Sequence, residues 1–441
     1  MLLASTRIIC SYLKITCALV GYYVAVLCRL MPAQLAVARV CRLMIAENIL
    51  FTKCIQAMSS HPLIPKEMHP ILQEYTNSTP VLDCDIDRAL IRYICETYQV
   101  ALEPTPRHSG MVAMAFHGTR SDAPVVVKVV KMGVESRIAD GCAHLQFGSV
   151  LVRLFSKWSA SAEGVCNVID AVIQSVDYLR RQCDLTREQC AMRSVHDVWM
   201  ALQAQYEGTS SVCNRSNRIL VPRTWSDPDG PRASEFFIMQ HVSGVPAFAL
   251  RNADAKRRGI ALLQYFILAQ SMLLDYYHTD MHSGNVLFDY DKGADTLTLG
   301  IYDFGMHVKM GARERAFTAN ILEVIMTPSI VTTSAFDVVR FCRLLFEVST
   351  YQRIEDTPTL RKRIHDLGEM LLHGALSAEV LHECVKDISR LVGIQPILNQ
   401  SVMQLLLGTS MVNSITYELS DNDMNLLMES GIAVYDDMML S

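Results

Sequence analysis

The sequence is poor in charge, at 19% of residues, and its first 46 residues contain no aspartate or glutamate at all. Half of the chain is hydrophobic, so it can bury a large core and is not broadly disordered. There is no surplus of base: a formal net charge of −5 gives no global positive field, and nucleic acid is set aside as a partner. The fourteen cysteines contain no C-x-x-C and no Cys/His cluster of zinc-finger spacing, so their spacing says little. Many lie in apolar runs, such as Cys10, Cys17, Cys28 and Cys342, and read as free thiols packed as small core residues. That usage suits a reducing compartment. The sequon-like triplets Asn77-Ser78-Thr79 and Asn399-Gln400-Ser401 are too common by chance to argue for secretion. No internal repeat and no low-complexity tract is present, and 441 residues allow two or three domains or one large bilobal one.

The acid-free start carries Arg7, Lys14, Arg29, Arg39 and Arg42. Within it, Ile8 to Cys28 holds Lys14 as its only charge and is long enough to cross a bilayer. Lys14, near one end, could snorkel to the interface. Three readings stay open: a membrane anchor or interfacial helix, an organelle-targeting segment, and an apolar helix packed on the domain. Arg29-Leu30-Met31-Pro32 is a poor cleavage site for a secretory signal.

The densest chemistry lies at His278-Thr279-Asp280-Met281-His282-Ser283-Gly284-Asn285, followed after a short hairpin by Tyr302-Asp303-Phe304-Gly305. H-x-D-x-H-x-G-N and then D-F-G is the layout of a kinase-fold ATP and metal site. Asp280 stands where a carboxylate would orient or deprotonate a nucleophile. Asn285 and Asp303 stand where two hard oxygen ligands would hold magnesium against a triphosphate. Any one of these residues could be a cap or a turn, but the joint pattern is far more specific. His278 reads as a loop brace; His282 could brace or carry a proton, with bracing favoured.

Upstream, residues 47–103 look helical, broken by Pro62, Pro65, Pro70 and Pro80. Met111 to Phe116 and Val125 to Val130 read as strands with a turn region from Gly118 to Pro124. Residues 165–206 form a long helical region, and Phe236-Phe237-Ile238-Met239 is another strand. A helix runs from about Lys256 to Tyr277. Val286-Leu287-Phe288 and Thr296 to Leu299 flank a turn at Asp291-Lys292-Gly293, and the chain from about Arg313 is mostly helical. Strands first and helices later fit a small β-rich lobe on a larger helical lobe, and with the kinase-fold layout of the motifs the expected fold is α+β, bilobal and protein-kinase-like. It has a small β-rich N-lobe (108–245), a larger helical C-lobe (246–441) and an N-terminal helical extension (47–107) behind the apolar basic segment 1–46.

Lys128 sits in the middle of an apolar strand, and a buried ammonium needs a partner. Lys128 is the candidate to grip the α- and β-phosphates, with Glu188 as the residue that pairs with it. Ser109, Gly110 and Met111 are placed near the phosphates only on the strength of Lys128, since one glycine is a weak phosphate loop. Met239, Gln240 and His241 read as the interlobe hinge whose backbone would meet adenine.

These residues resemble the UbiB-type, or aarF-domain-containing, atypical kinases. Val125 to Gly133 looks like that family's V-A-V-K-V-Q-R-P-G, and Cys183 to Glu188 resembles its L-D-[FY]-R-R-E. His278 to Asn285 resembles H-A-D-P-H-P-G-N, with Met281 and Ser283 replacing the prolines. Ile301 to Met306 is similar to L-I-D-F-G-M. Phe51-Thr52-Lys53-Cys54-Ile55-Gln56 looks like F-I-K-L-G-Q, and Met58 to Glu67 continues the likeness. In that family the K-x-G-Q helix folds across the active site, which makes Lys53 and Gln56 regulatory or loop-bracing candidates. Ile55 replaces the glycine of that motif, Gln182 replaces an acidic residue, and Thr105-Pro106-Arg107-His108 stands where the family has A-A-A-S.

The resemblance implies an atypical kinase or ATPase that binds ATP and Mg²⁺ and serves a membrane lipid process, isoprenoid quinone (ubiquinone) biosynthesis above all. The expected partners are nucleotide and membrane lipid or quinone intermediates, with a homodimer allowed. The expected location is a membrane on its reducing side, the mitochondrion being one candidate. Two alternatives remain beside it: a small-molecule phosphotransferase of the aminoglycoside/choline kinase type, and a nucleotide-binding pseudokinase scaffold. An ordinary protein kinase would carry A-P-E after D-F-G, for which Met326-Thr327-Pro328-Ser329 is a poor substitute.

Overall fold

A computed structural model of the chain describes residues 2–58, 66–68, 71–72, 79, 81–156, 169–170, 172–173, 176–206 and 210–312, with scattered short stretches and single positions beyond. The chain is α+β and divides into two compact units, Met1–Gln189 with Thr224–His241, and Cys190–Arg223 with Val242–Ser441.

The first unit opens with three helices, α1 (Leu2–Leu27), α2 (Ala33–Glu47) and α3 (Phe51–Met58). Helix α4 (Arg88–Tyr98) follows, its N-terminus capped by the Asp87 carboxylate, which accepts from the Ala89 and Leu90 amides. The four prolines expected to break this region lie outside the described residues. A five-stranded sheet comes next: β1 (Val100–Leu102), β2 (His108–Ser109), β3 (Ala113–Arg120), β4 (Ala123–Val130) and β6 (Phe236–Gln240). Its order is β1-β3-β4-β6, with β2 also paired to β3 and all pairings antiparallel.

The turn expected from Gly118 to Pro124 is only two residues long. Ser121 and Asp122 both adopt positive φ, 48° and 64°. A two-residue hairpin turn of that kind matches the twist of its strands, so pairing runs on to Arg120↔Ala123. Val125, Val127 and Val129 of β4 pack with Leu90 and Ile94 of α4 on one sheet face. Side chains alternate along a strand, so Lys128 points to the opposite face.

Helix α5 (Val134–Ser156), for which the sequence reading gave no element, begins just after Gly133 at φ +66°. It packs α1 and the connection between α2 and α3 against itself at very short range. A Cβ on Gly141 would collide with the Asn48 side chain, and one on Gly148 with the Tyr12 hydroxyl. The two glycines are two helical turns apart and so share a face. Ile15 of α1, Phe51 and Cys54 of α3, Ile138 and Leu145 of α5, and Met111 and Val112 belong to one buried cluster.

The long helical region expected over 165–206 contains, among the described residues, α6 (Val176–Arg181) and α7 (Leu185–Tyr206). The break falls at Gln182–Asp184, where the Asp184 carboxylate accepts from the Thr186 amide and starts a new helix.

The second unit holds β5 (Asn217–Leu220), helix α8 (Ala253–Met272), β7 (Tyr276–His278), β8 (Val286–Asp291), β9 (Thr296–Ile301) and β10 (His307–Lys309). The expected hairpin is present as β8–β9, and β5 joins β9 in parallel. Helix α8 starts at an Asn252 cap and ends five residues before the expected Tyr277. There Tyr276–His278 is drawn into a two-stranded ladder with β10, a long-range pairing that no local pattern announces. Trp199 anchors the core beside Phe266, its indole N–H donating to the Ile219 carbonyl at 2.9 Å. The helical reading from Arg313 onward, the Asp356 to Pro358 break and Met326 to Ser329 fall largely outside the described residues.

Candidate functional site

In the first unit, β4 presents Lys128 opposite Ala115 and Phe237. Its ammonium meets both carboxylate oxygens of Glu188, at 2.7 and 2.9 Å. Glu188 lies in the first turn of α7, where the helix dipole favours a negative charge. Its side chain is 6% exposed and that of Lys128 16%. Charges this buried persist because they are paired and hydrogen-bonded. Next to it, the buried Gln189 amide donates to the Ser226 carbonyl at 2.5 Å and hydroxyl at 2.7 Å, fixing the start of α7 against the strand side.

The other expected residues of this unit have varied settings. Ser109 is buried; its carbonyl accepts from the Thr79 amide. Gly110 closes a tight turn, its amide donating to the Ala113 carbonyl at 2.9 Å. The Met111 side chain is buried in the cluster with α3 and α5. Met239 and Gln240 end β6 opposite Val126 and Val125, and the His241 amide donates to the Pro124 carbonyl. The His241 ring sits edge-on to His117 at 5.1 Å. Burial, and then the neighbouring His241, hold the His117 pKa below its usual value. Lys53 lies on α3, half-buried, and the Gln56 side chain is outside the described residues. Ile55 is buried against Cys41, Ile45 and Leu72.

In the second unit, β7 delivers the chain into the H-x-D loop and β9 into the D-F-G loop. His278 ties the two together. It is fully buried; its Nδ1 accepts from the Asp280 amide at 3.2 Å and its Nε2 donates to the Tyr302 carbonyl at 3.3 Å. Accepting at Nδ1 and donating at Nε2 requires the neutral imidazole. Burial enforces that form, pushing its pKa from 6.5 down to about 4. The Thr279 amide donates to the Met306 carbonyl and the Tyr302 amide to that of Asn285, so the loops are laced by backbone as well.

The Asn285 side-chain amide donates to the Asp280 carbonyl at 2.9 Å, which leaves its Oδ1 as the acceptor. Asp303 adopts φ +62°, an uncommon conformation for a residue other than glycine, and its Oδ1 accepts from the Gly305 amide. An amide oxygen and a carboxylate suit a hard cation that completes its shell with phosphate oxygens and water. No group of three or more His, Cys, Asp or Glu placed to hold a metal ion occurs among the described residues, so a zinc-type set is not on offer there. His282 Nδ1 accepts from the Gly284 amide, and its Nε2 stays 4.0 Å from the Asp280 carboxylate.

Two contributors escaped the sequence reading. Gln270, fully buried on α8, accepts from the His278 amide through Oε1 at 2.7 Å. Its signal was a glutamine inside an apolar helical run. Tyr302 donates its hydroxyl to the Gly284 carbonyl at 2.6 Å, and burial pushes its pKa to about 12.

A strand lysine held by a helix-start glutamate, with an H-x-D loop laced to a D-F-G loop, defines a chain of the protein-kinase-like class. Residues 94–330, more than half of the chain, match the ABC1 atypical kinase-like domain, and the chain belongs to that family. Membership gives it the atypical kinase-like class. A probable protein kinase UbiB from Marinobacter nauticus is 23% identical over 283 residues, which are 62% of this chain and 48% of that protein. The chain thus spans about half the length of that curated relative. Among solved structures, Rv3197 of Mycobacterium tuberculosis in complex with erythromycin matches at 15% identity and TM-score 0.44, over 83% of this chain and 86% of that one. The Rio2 kinase–ADP/Mg²⁺–phosphoaspartate complex from Chaetomium thermophilum matches at 12% identity and TM-score 0.30, over 91% and 98%.

Proposed function

We propose that the chain binds Mg-ATP and hydrolyses it or transfers its γ-phosphoryl group in the service of a membrane lipid process, isoprenoid quinone biosynthesis being the first to test. The observation that carries the reading is the buried, two-point pairing of Lys128 with Glu188. A strand lysine oriented this way is suited to the α- and β-phosphates. Asn285 and Asp303 are the candidate magnesium ligands, and Asp280 the carboxylate that orients the acceptor or water. Magnesium when bound would neutralise charge on the phosphates; the residues' own task is to fix that cation and the nucleophile.

The test is thermal unfolding of the full chain with ATP or ADP, with and without Mg²⁺, beside Asp303→Asn. Asparagine tolerates the left-handed backbone and removes the charge alone. Ligand at one hundred times its dissociation constant adds about 2.7 kcal/mol of stability. A magnesium-dependent shift in the parent that disappears in the variant supports the reading. A shift of equal size in both sinks the metal assignment. Lys128→Arg is expected to keep the fold and weaken phosphate positioning, read as raised KM for ATP.

A further inference from the structure

We propose that α1 attaches the protein to an anionic lipid surface by lying in the plane of the membrane, not by crossing it. The inference deepens the membrane-linked reading above and rests on it. Helix α1 is long and apolar enough to span a bilayer over Ile8–Leu27. Its two faces differ sharply. Ile9, Leu13, Leu19, Val20, Tyr23, Val24 and Leu27 are all exposed, Tyr23 at 65% and Leu27 at 63%. At 3.6 residues per turn these seven fall within an arc of about 140°. An apolar arc of that size is usually covered in a soluble protein.

The opposite face is committed to the fold. Ile15 is buried in the cluster it shares with α3 and α5. The Tyr12 hydroxyl donates to the His144 carbonyl at 2.7 Å, and the Ser11 hydroxyl to Glu47 at 2.8 Å. Lys14 pairs with Glu47 as well. Crossing a bilayer would tear these contacts out and draw a lysine–glutamate pair toward hydrocarbon. Lying flat keeps them and buries the exposed arc. Beside α1, helix α5 adds Val150, 60% exposed, and Phe147, whose ring packs 5.7 Å from that of Tyr12.

Charge selects the lipid. Residues 1–46 carry five basic side chains and no acidic one. Arg29, Arg39 and Arg42 are exposed and make no ion pair among the described residues. An exposed apolar face on α1, with exposed arginines at its end and on the next helix, fits a negatively charged bilayer surface.

The experiment is partition of the full chain onto phosphatidylcholine vesicles with and without phosphatidylglycerol. Binding is expected to need phosphatidylglycerol, and L13E/V20E to weaken it by at least about tenfold. R29Q/R39Q/R42Q should abolish the preference for phosphatidylglycerol. An environment-sensitive fluorescent amino acid at Leu13 or at Leu27 should report the same shallow depth with bromolipid quenchers. A depth that changes steadily from one site to the other means a span and overturns the proposal. A vesicle-indifferent dimer that L13E/V20E dissociates means a second copy covers the face, which also overturns it. Magnesium-dependent nucleotide stabilisation, measured on the same variants, separates failure here from failure of the nucleotide reading. It also verifies that they are folded.

Discussion

At the scale of single residues, His278 and the Lys128–Glu188 pair carry the sharpest consequences. The native state keeps His278 neutral, with its pKa at about 4 against an ordinary 6.5. The unfolded chain therefore binds the extra proton first as pH falls. Stability conferred by this residue is complete above about 6.5, falls through the window down to about 4, and is fully lost below it. The shift amounts to roughly 3 kcal/mol. In parent and His278→Gln proteins, denaturant midpoints between pH 4 and 6.5 should fall steeply only in the parent; equal slopes would remove His278 as the cause. For the ion pair, Glu188→Ala should cost about 3 kcal/mol, because it strands a buried ammonium. The double variant Lys128→Met/Glu188→Leu should recover most of that stability while its ATP-dependent thermal shift stays absent. Recovery of the shift as well would mean that the pair only holds the fold.

At the scale of elements, the α2–α3 corner makes a prediction of its own. Ile55 stands where the resembling family has glycine, and here it is buried against Cys41, Ile45 and Leu72. Ile55→Gly should therefore cost about 3–5 kcal/mol, the sum of a core cavity and a helix-interior glycine, measured as a loss in urea midpoint with unchanged slope. A near-neutral change would mean that this face is not packed. The elements also mark what local sequence could and could not say. The β8–β9 hairpin and the β6 strand were legible because alternating and β-branched runs, with turn residues between them, are local signals. The Ser121–Asp122 turn was misjudged because neither residue is glycine, yet both take positive φ. Strands β7 and β10 were invisible because their stability comes from pairing across nearly thirty residues of chain. The lysine, glutamate and loop residues of the candidate site were readable as a spaced set. Gln270 and Tyr302 were not, since their role depends on which backbone groups the fold brings to them.

At the scale of the whole molecule, charge is divided very unevenly. The first 46 residues carry five positive charges and no negative one, and the chain nets −5, so the remainder nets −10. Attraction of the basic end to an anionic surface is screened by salt, with a Debye length of about 10 Å at 0.1 M and 3 Å at 1 M. Vesicle binding should therefore weaken markedly between those concentrations, and a salt-independent affinity would assign the attachment to apolar burial alone. Helix α1 is also more than a handle. Ile15 shares one buried cluster with Phe51 and Cys54 of α3 and with Met111 and Val112 beside the β2–β3 turn. A protease that cut between α1 and α2, as maturation enzymes cut leader peptides, would not be trimming an appendage. It would remove Ile15 from the cluster it shares with that turn and α3, and the product is expected to be less stable than the full chain.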